Sequence, residues 1–287
     1  MSNHVLQRLR ARFSYFCALP GFKRRPVRTV FRTLSWRVRC WLGIPGRVRV
    51  PAWNASLILP PEWHGAGATL FYAVREDYEP ELAFLNRFLK PGEVFVDAGA
   101  NCGVYTIAAA SVVGDRGLVL AFEPGPEVFA TLRRSVEING YRHVRLFDVG
   151  LSNTAGTAAL YTHPHGASSC SLGRPPGSSG ESLSIRLQKL DDVLEAEGVS
   201  AVHCIKMDVE GAEELILLGA TRLFERCKPR VIFEINPPAI AALGLRPDGV
   251  WRFLEARGYR FVTVDADGAL TERAAAPMEG NVIALAK

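Results

Sequence analysis

The chain has 287 residues, 48% of them apolar and 22% charged, which is the composition of a globular protein with a sizeable core and excludes a disordered or fibrous chain. Its formal net charge of +5 is unevenly spread: residues 1–61 carry eleven arginines and Lys23 with no acid before Glu62, so the remainder is net acidic. Six cysteines, at 17, 40, 102, 170, 204 and 227, form no C-x-x-C pair, a usage that excludes a disulfide framework and fits a reducing compartment.

No apolar run reaches the length of a membrane span, and the basic N-terminus lacks the uninterrupted apolar stretch of a signal peptide, so a cytoplasmic location is expected. Val5, Leu6, Leu9, Phe13 and Phe16 recur at helical spacing beside Arg8 and Arg12. Phe31, Leu34, Val38, Trp41 and Leu42 repeat the pattern, with Arg32, Arg37 and Arg39 off that face. Two readings stand for this basic amphipathic segment. Its apolar face caps the main domain, or residues 1–49 touch the anionic inner face of a membrane; nucleic acid is the minor alternative. Runs at 47–50, 56–59 and 69–74 read as short strands and 79–89 as a helix, which makes 1–75 a basic N-terminal extension of helical segments and strands, and 76–287 the main domain.

From Glu93 onward, strand patterns at 93–97, 118–122, 144–149, 201–207, 230–235, 259–264 and 280–286 alternate with helical patterns at 103–112, 126–139, 212–224 and 247–257. The alternation predicts an α/β fold, a seven-stranded, mostly parallel sheet with helices on both faces. The interval 157–189 breaks the rhythm with two strand-like pieces, 157–161 and 183–187, around a Gly/Ser/Pro/His loop at 163–182. A loop of that length inside a compact domain is more often functional than idle.

The chain is organised around residues 94–106, an apolar run closed by Asp97, a turn of Gly99, Ala100, Asn101, Cys102 and Gly103, and an apolar helix start. Asn101 stands where a dinucleotide fingerprint needs its second glycine, which excludes that fingerprint. An acid ahead of the turn suits a cationic ligand without phosphate, such as S-adenosylmethionine (SAM). Glu123 follows Gly99 by 24 residues, the separation at which a carboxylate accepts ribose hydroxyls. Asp148 ends the third strand, either bordering the adenine or serving as a turn residue ahead of Gly150.

Asp208 closes the fourth strand in Ile205-Lys206-Met207-Asp208-Val209-Glu210-Gly211-Ala212-Glu213, with Glu210 facing the same mouth and Glu213 capping the next helix. Lys206 is expected to be partly buried and paired with an acid. The fifth strand delivers Glu234 to the same edge. Asn236-Pro237-Pro238 reads as a turn, because Ala239 stands where an amino-group methyltransferase motif needs an aromatic residue. His163, His165 and Cys170 are too thin a set for zinc, so no metal is assigned to them.

Taken together, Phe95 to Thr106, Phe122-Glu123-Pro124, Leu151-Ser152-Asn153, Leu190 to Leu194, Ile205 to Glu213, Gly219-Ala220 and Phe233-Glu234 resemble the FkbM-type SAM-dependent methyltransferases, over about residues 79–285. The resemblance implies a Rossmann-like sheet and transfer of the SAM methyl to an oxygen, a hydroxyl of a sugar, a glycan or glycolipid, or a small natural product. It implies that Asp97, Gly99 and Gly103, with Asn101 in the same turn, hold the methionine end, Glu123 the ribose and Asp148 the adenine side. A hydroxyl nucleophile needs a base. Asp208 is the first choice and Glu210 or Glu234 the runner-up; the same three could instead hold a divalent ion. Two other classes remain: a catalytically idle SAM-binding scaffold docked through its basic N-terminus, and, weaker, a nucleic-acid methyltransferase.

Overall fold

The computed structural model describes residues 20–62, 66–163, 166–174 and 182–287. The helix expected around Val5–Phe16 lies outside them, as do His165 and the middle of the 163–182 loop.

An N-terminal hairpin pairs β1 (Gly46–Val50) with β2 (Ala55–Leu59). The main sheet begins with β3 (Val94–Ala98), β4 (Leu118–Phe122) and β5 (Val144–Phe147). A second sheet interrupts it, built from β6 (Gly150–Leu151), β7 (Gly156–His163), β8 (Gly166–Ser171) and β9 (Ser182–Gln188). The main sheet resumes with β10 (Cys204–Met207), β11 (Arg230–Ile235), β12 (Tyr259–Val264), β13 (Leu270–Arg273) and β14 (Gly280–Ala286). Its spatial order is β13-β12-β14-β11-β10-β3-β4-β5. Neighbours from β11 to β5 are parallel, and the pairings of β14 and β13 are antiparallel.

The sheet therefore has eight strands rather than seven. The extra one, β13, exposes all four residues, so it carries no apolar alternation to mark it. Likewise β8 lies inside the stretch expected to be irregular, paired antiparallel with β7. Winding runs outward from β3 in both directions, so the switch point lies between β3 and β10, where an open α/β sheet places its ligand crevice.

Helices α1 (Pro20–Arg24), α2 (Pro26–Trp41), α3 (Ala66–Val74) and α4 (Pro80–Ala83) precede the sheet. On one face, Phe95, Val119, Cys204 and Ile232 pack with α5 (Val104–Val113) and α6 (Pro126–Glu137), and with Val48, Leu57 and Phe71 of the N-terminal segment. On the other, Val96, Leu120, Ile205 and Phe233 pack with α7 (Leu190–Ala196), α8 (Glu213–Leu218) and α9 (Thr221–Arg226). Two short helices, α10 (Pro237–Ala242) and α11 (Gly249–Glu255), close that side.

Three local expectations fail for tertiary reasons. Residues 69–74 form the end of α3, not a strand: Ala68 and Phe71 reach the core while Thr69 and Tyr72 meet Trp36, a helical division of contacts. The 79–89 helix breaks at Phe84 (φ −111°, ψ 22°) and continues as a 3-10 turn, Leu85–Arg87, with Leu82, Leu85, Phe88 and Leu89 still buried. Finally, α2 docks by the face opposite to its apolar stripe. Thr29 and Trp36 are buried, the Trp36 indole N–H donates to Thr69 Oγ1 at 3.1 Å, and its ring stacks on Tyr72 with centroids 4.8 Å apart. Phe31, Leu34, Val38, Trp41 and Leu42 are all exposed, so the cap reading has the helix turned the wrong way round.

Candidate functional site

Side chains alternate along a strand, so Asp97 shares a face with Phe95, Lys206 with Cys204, and Glu234 with Ile232. Register sets Lys206 beside Asp97 on β3, and Met207 opposite Phe233, one residue short of Glu234. Three charged groups thus meet at the carboxyl ends of adjacent strands. They line a cavity of about 320 Å³ together with Asp208 and Glu210, the 99–102 turn, Glu123, Glu79 and Tyr105. The N-terminal segment supplies Leu59, Ala68 and Phe71, and the second sheet Leu160, Cys170 and Ser171.

The turn is fixed by internal packing. Gly99 has φ +80°, and a Cβ there would lie 2.0 Å from the Asp208 carbonyl oxygen, so the glycine lets β3 and β10 approach at their ends. Asn101 adopts a left-handed φ of 51°, which Asn tolerates, and its Oδ1 accepts the Cys102 N–H at 2.7 Å. Its own N–H donates to Glu123 Oε2 at 3.0 Å, while Glu123 Oε1 accepts from the Gly125 N–H at 2.8 Å. Burial pushes Glu123 up to about 7, against those two donors. Asp97 is fully buried, accepts from Thr106 Oγ1 at 2.5 Å, and is raised by burial to about 6.

Lys206 is the centre of the other half. It is 1% exposed, its Nζ lies 3.5 Å from Asp208 Oδ2 and 5.1 Å from the Tyr105 ring centroid, and it makes no hydrogen bond among the described residues. Burial opposes its charge, but Asp208, Glu79, Glu234 and Asp97 outweigh that and push its pKa up. Burial and the Asp208 charge together raise Glu234 to about 8. Glu79 is also raised by burial and accepts the Tyr105 hydroxyl at 2.6 Å. No three His, Cys, Asp or Glu side chains among the described residues converge as a metal site.

The other singled-out residues divide. Glu210 takes a left-handed φ of 52° at the cavity rim and accepts from Asn236 Nδ2 at 3.0 Å. Asn236 in turn caps α10, its Oδ1 accepting the Ala239 N–H. Glu213 folds back on its own turn, accepting from the Val209 and Gly211 N–H groups at 3.0 and 3.3 Å. Gly103 opens α5 with φ +97° and packs beneath Leu132. Asp148 stands apart. Its side chain is 62% exposed and pairs with Arg186 of β9 at 2.8 Å, in a shallow depression next to the cavity.

The cavity's Glu79 and Tyr105 had no site role from sequence. Tyr105 sits in an apolar helix, and Glu79 reaches it from 26 positions away, a contact no local pattern encodes. Lys206 did carry a signal, since a lysine inside an apolar strand must find carboxylates.

A model of the methyltransferase FkbM domain matches residues 97–261. Among curated proteins the chain is 27% identical over 193 residues to methyltransferase sdnD of Sordaria araneosa, covering 57% of this chain and 72% of that one. It is 30% identical over 162 residues to the 31-O-demethyl-FK506 methyltransferase FkbM of Streptomyces tacrolimicus, covering 46% and 60%, so it spans less than two thirds of that relative. A solved methyltransferase FkbM from Methylobacillus flagellatus aligns at 16% identity and a TM-score of 0.41, over 92% of this chain and 61% of the other. The family match runs from the acid that closes β3 to the far side of the same sheet, and takes in more than half of the chain; this protein belongs to the FkbM methyltransferase family.

Proposed function

We propose that this chain is a SAM-dependent O-methyltransferase acting on a hydroxyl of a sugar, a glycan or glycolipid, or a small natural product. The observation that carries the reading is the charge of the cavity. Glu79, Asp97, Glu123, Asp208, Glu210 and Glu234 line it against one cation, Lys206, among the described residues. Such a cavity repels phosphate and favours a cation, and SAM brings a sulfonium and an ammonium without phosphate. The residues fit the two ends of that molecule. Each Glu123 oxygen accepts one backbone N–H, which leaves acceptor capacity for a ribose diol. Asp97 and the Gly99–Asn101 turn adjoin it on the side of Lys206 and Asp208.

SAM would supply a methyl on a sulfonium leaving group, so that the acceptor oxygen forms its new bond to carbon as the carbon–sulfur pair withdraws to sulfur. The chain's own task is to receive the hydroxyl proton. Glu234 suits it: with a pKa near 8 and no ion-pair partner within contact distance among the described residues, it is a base matched to mildly alkaline conditions. Asp208, the first choice from sequence, is paired with Lys206 and serves to orient it. Two relatives support the substrate classes named: the 31-O-demethyl-FK506 methyltransferase by an oxygen acceptor, and a hexuronic acid methyltransferase, AglP of Haloferax volcanii, 28% identical over 144 residues and covering 50% of this chain and 56% of that one, by a sugar acid.

The test is calorimetric titration of the protein with SAM, repeated on Glu123→Ala, followed by transfer of labelled methyl to a panel of glycans and hydroxylated natural products. Binding near micromolar that weakens at least about tenfold in the variant supports the reading, that ratio being about 1.4 kcal/mol. A folded wild type that ignores SAM overturns it.

A further inference from the structure

We infer that α2 is a docking helix for an anionic lipid surface. In a water-facing helix the apolar stripe turns inward. Here it turns out: Val27, Phe31, Leu34, Val38 and Trp41, at the four- and three-residue steps of one helical face, are between 55% and 83% exposed. Leu42 and Ile44 extend the stripe past the helix end. The opposite face holds α2 rigidly to the body through Thr29 and Trp36, with the Trp36–Thr69 hydrogen bond and the stack on Tyr72. Helical spacing sets Arg28 and Arg39 along one flank of the stripe and Arg37 along the other, while Arg32 turns towards the body and donates to the Ala73 carbonyl at 3.2 Å.

Charge identifies the occupant. Helix α2 carries Arg28, Arg32, Arg37 and Arg39 and no acid, so two copies meeting through this face would bring arginine near arginine, since a two-fold contact repeats the same patch on both sides. An anionic bilayer offers apolar depth for the stripe and phosphate for its flanks. Phe31 and Trp41 are of the residue types that settle at the headgroup boundary. The helix has 16 residues, and none among those described is long and apolar enough to cross a membrane, so it lies in the plane of the interface. Behind it stands α3, whose Ala68 and Phe71 line the cavity, so docking brings the cavity wall within one helix layer of the lipid. The inference is independent of the proposed methyl transfer.

The experiment is co-flotation of the full chain with vesicles of phosphatidylcholine alone or mixed with phosphatidylserine, at low and high salt, for wild type, Leu34→Glu and the milder Leu34→Ser. Circular dichroism and sedimentation serve as controls of folding and assembly. Wild type is expected on the mixed vesicles, at least about tenfold more than on the neutral ones, with binding falling as salt rises. Leu34→Glu should lose about tenfold or more while keeping its folded spectrum, and Leu34→Ser should lie between. Three results would each overturn the inference: wild type that stays off the mixed vesicles, binding unaltered in both variants, or a dimer that Leu34→Glu dissolves while vesicles capture nothing.

Discussion

Lys206→Met removes the buried ammonium, keeps a side chain of similar length, and leaves Asp97, Asp208, Glu79 and Glu234 facing one another. At 3.5 Å and an effective dielectric of about 20, the Lys206–Asp208 attraction alone is about 5 kcal/mol before desolvation is set against it. Breaking a buried pair costs about 3–5 kcal/mol net, and because the Asp208 side chain is 40% exposed, the lower end, about 3 kcal/mol, is expected. That is a large share of the roughly 5–15 kcal/mol that holds a domain together. The loss depends on pH with a definite sign. Asp97, at about 6, and Glu234, at about 8, are raised in the folded state above the ordinary carboxyl range, so their stability is fully present below the unfolded pKa and is lost as pH rises through the folded values. Removing the ammonium raises both further. Urea unfolding followed by circular dichroism should therefore show a smaller deficit for the variant near pH 5, where Asp97 and Glu234 carry protons, and a larger one above about pH 8, where both have lost them. An equal deficit at both ends, or a variant more stable than wild type at alkaline pH, would refute the idea that this ammonium sustains the charge of the cluster.

Other expectations follow from the same geometry. Glu234→Gln should lower kcat by roughly 10²–10⁴, and kcat/KM of wild type should rise with pH towards about 8; a variant with full activity removes Glu234 as base. SAM binding near neutral pH should release protons, because Glu123 at about 7 and Glu234 at about 8 are drawn to their ionised forms by a cationic ligand; calorimetry in buffers of different ionisation enthalpy reads this, and identical heats would contradict it. Gly99→Ala would put a Cβ 2.0 Å from the Asp208 carbonyl at a φ of +80°, costing about 1–2 kcal/mol for the backbone alone and more for the parted strands. Its Tm should fall and SAM affinity with it; a variant indistinguishable in both would show that the strand ends have room.

What the sequence makes legible is whatever it repeats locally. Apolar runs closed by an acid mark β3, β4, β10 and β11, but only the register between strands brings Asp97, Lys206 and Glu234 together on one face. A motif, however, does not say why a residue is there. Asp191 lies in a stretch that resembles the family, yet it is 6% exposed and its oxygens accept the Arg222 and Leu223 N–H groups at the start of α9, a capping role. Gly219 belongs to another such stretch, and its lack of a side chain is required because a Cβ would lie 2.1 Å from the Ser152 carbonyl, itself in a third. Distance in the chain hides the rest. Asp148 is held outward by an arginine 38 positions on, and Glu79 meets Tyr105 across 26. The amphipathic pattern of α2 is a different kind of blindness. A helical wheel separates an apolar from a polar side, but the same wheel describes a helix that faces its own core and one that faces away from it. Only the burial of Trp36 opposite Phe31, Leu34 and Trp41 distinguishes them.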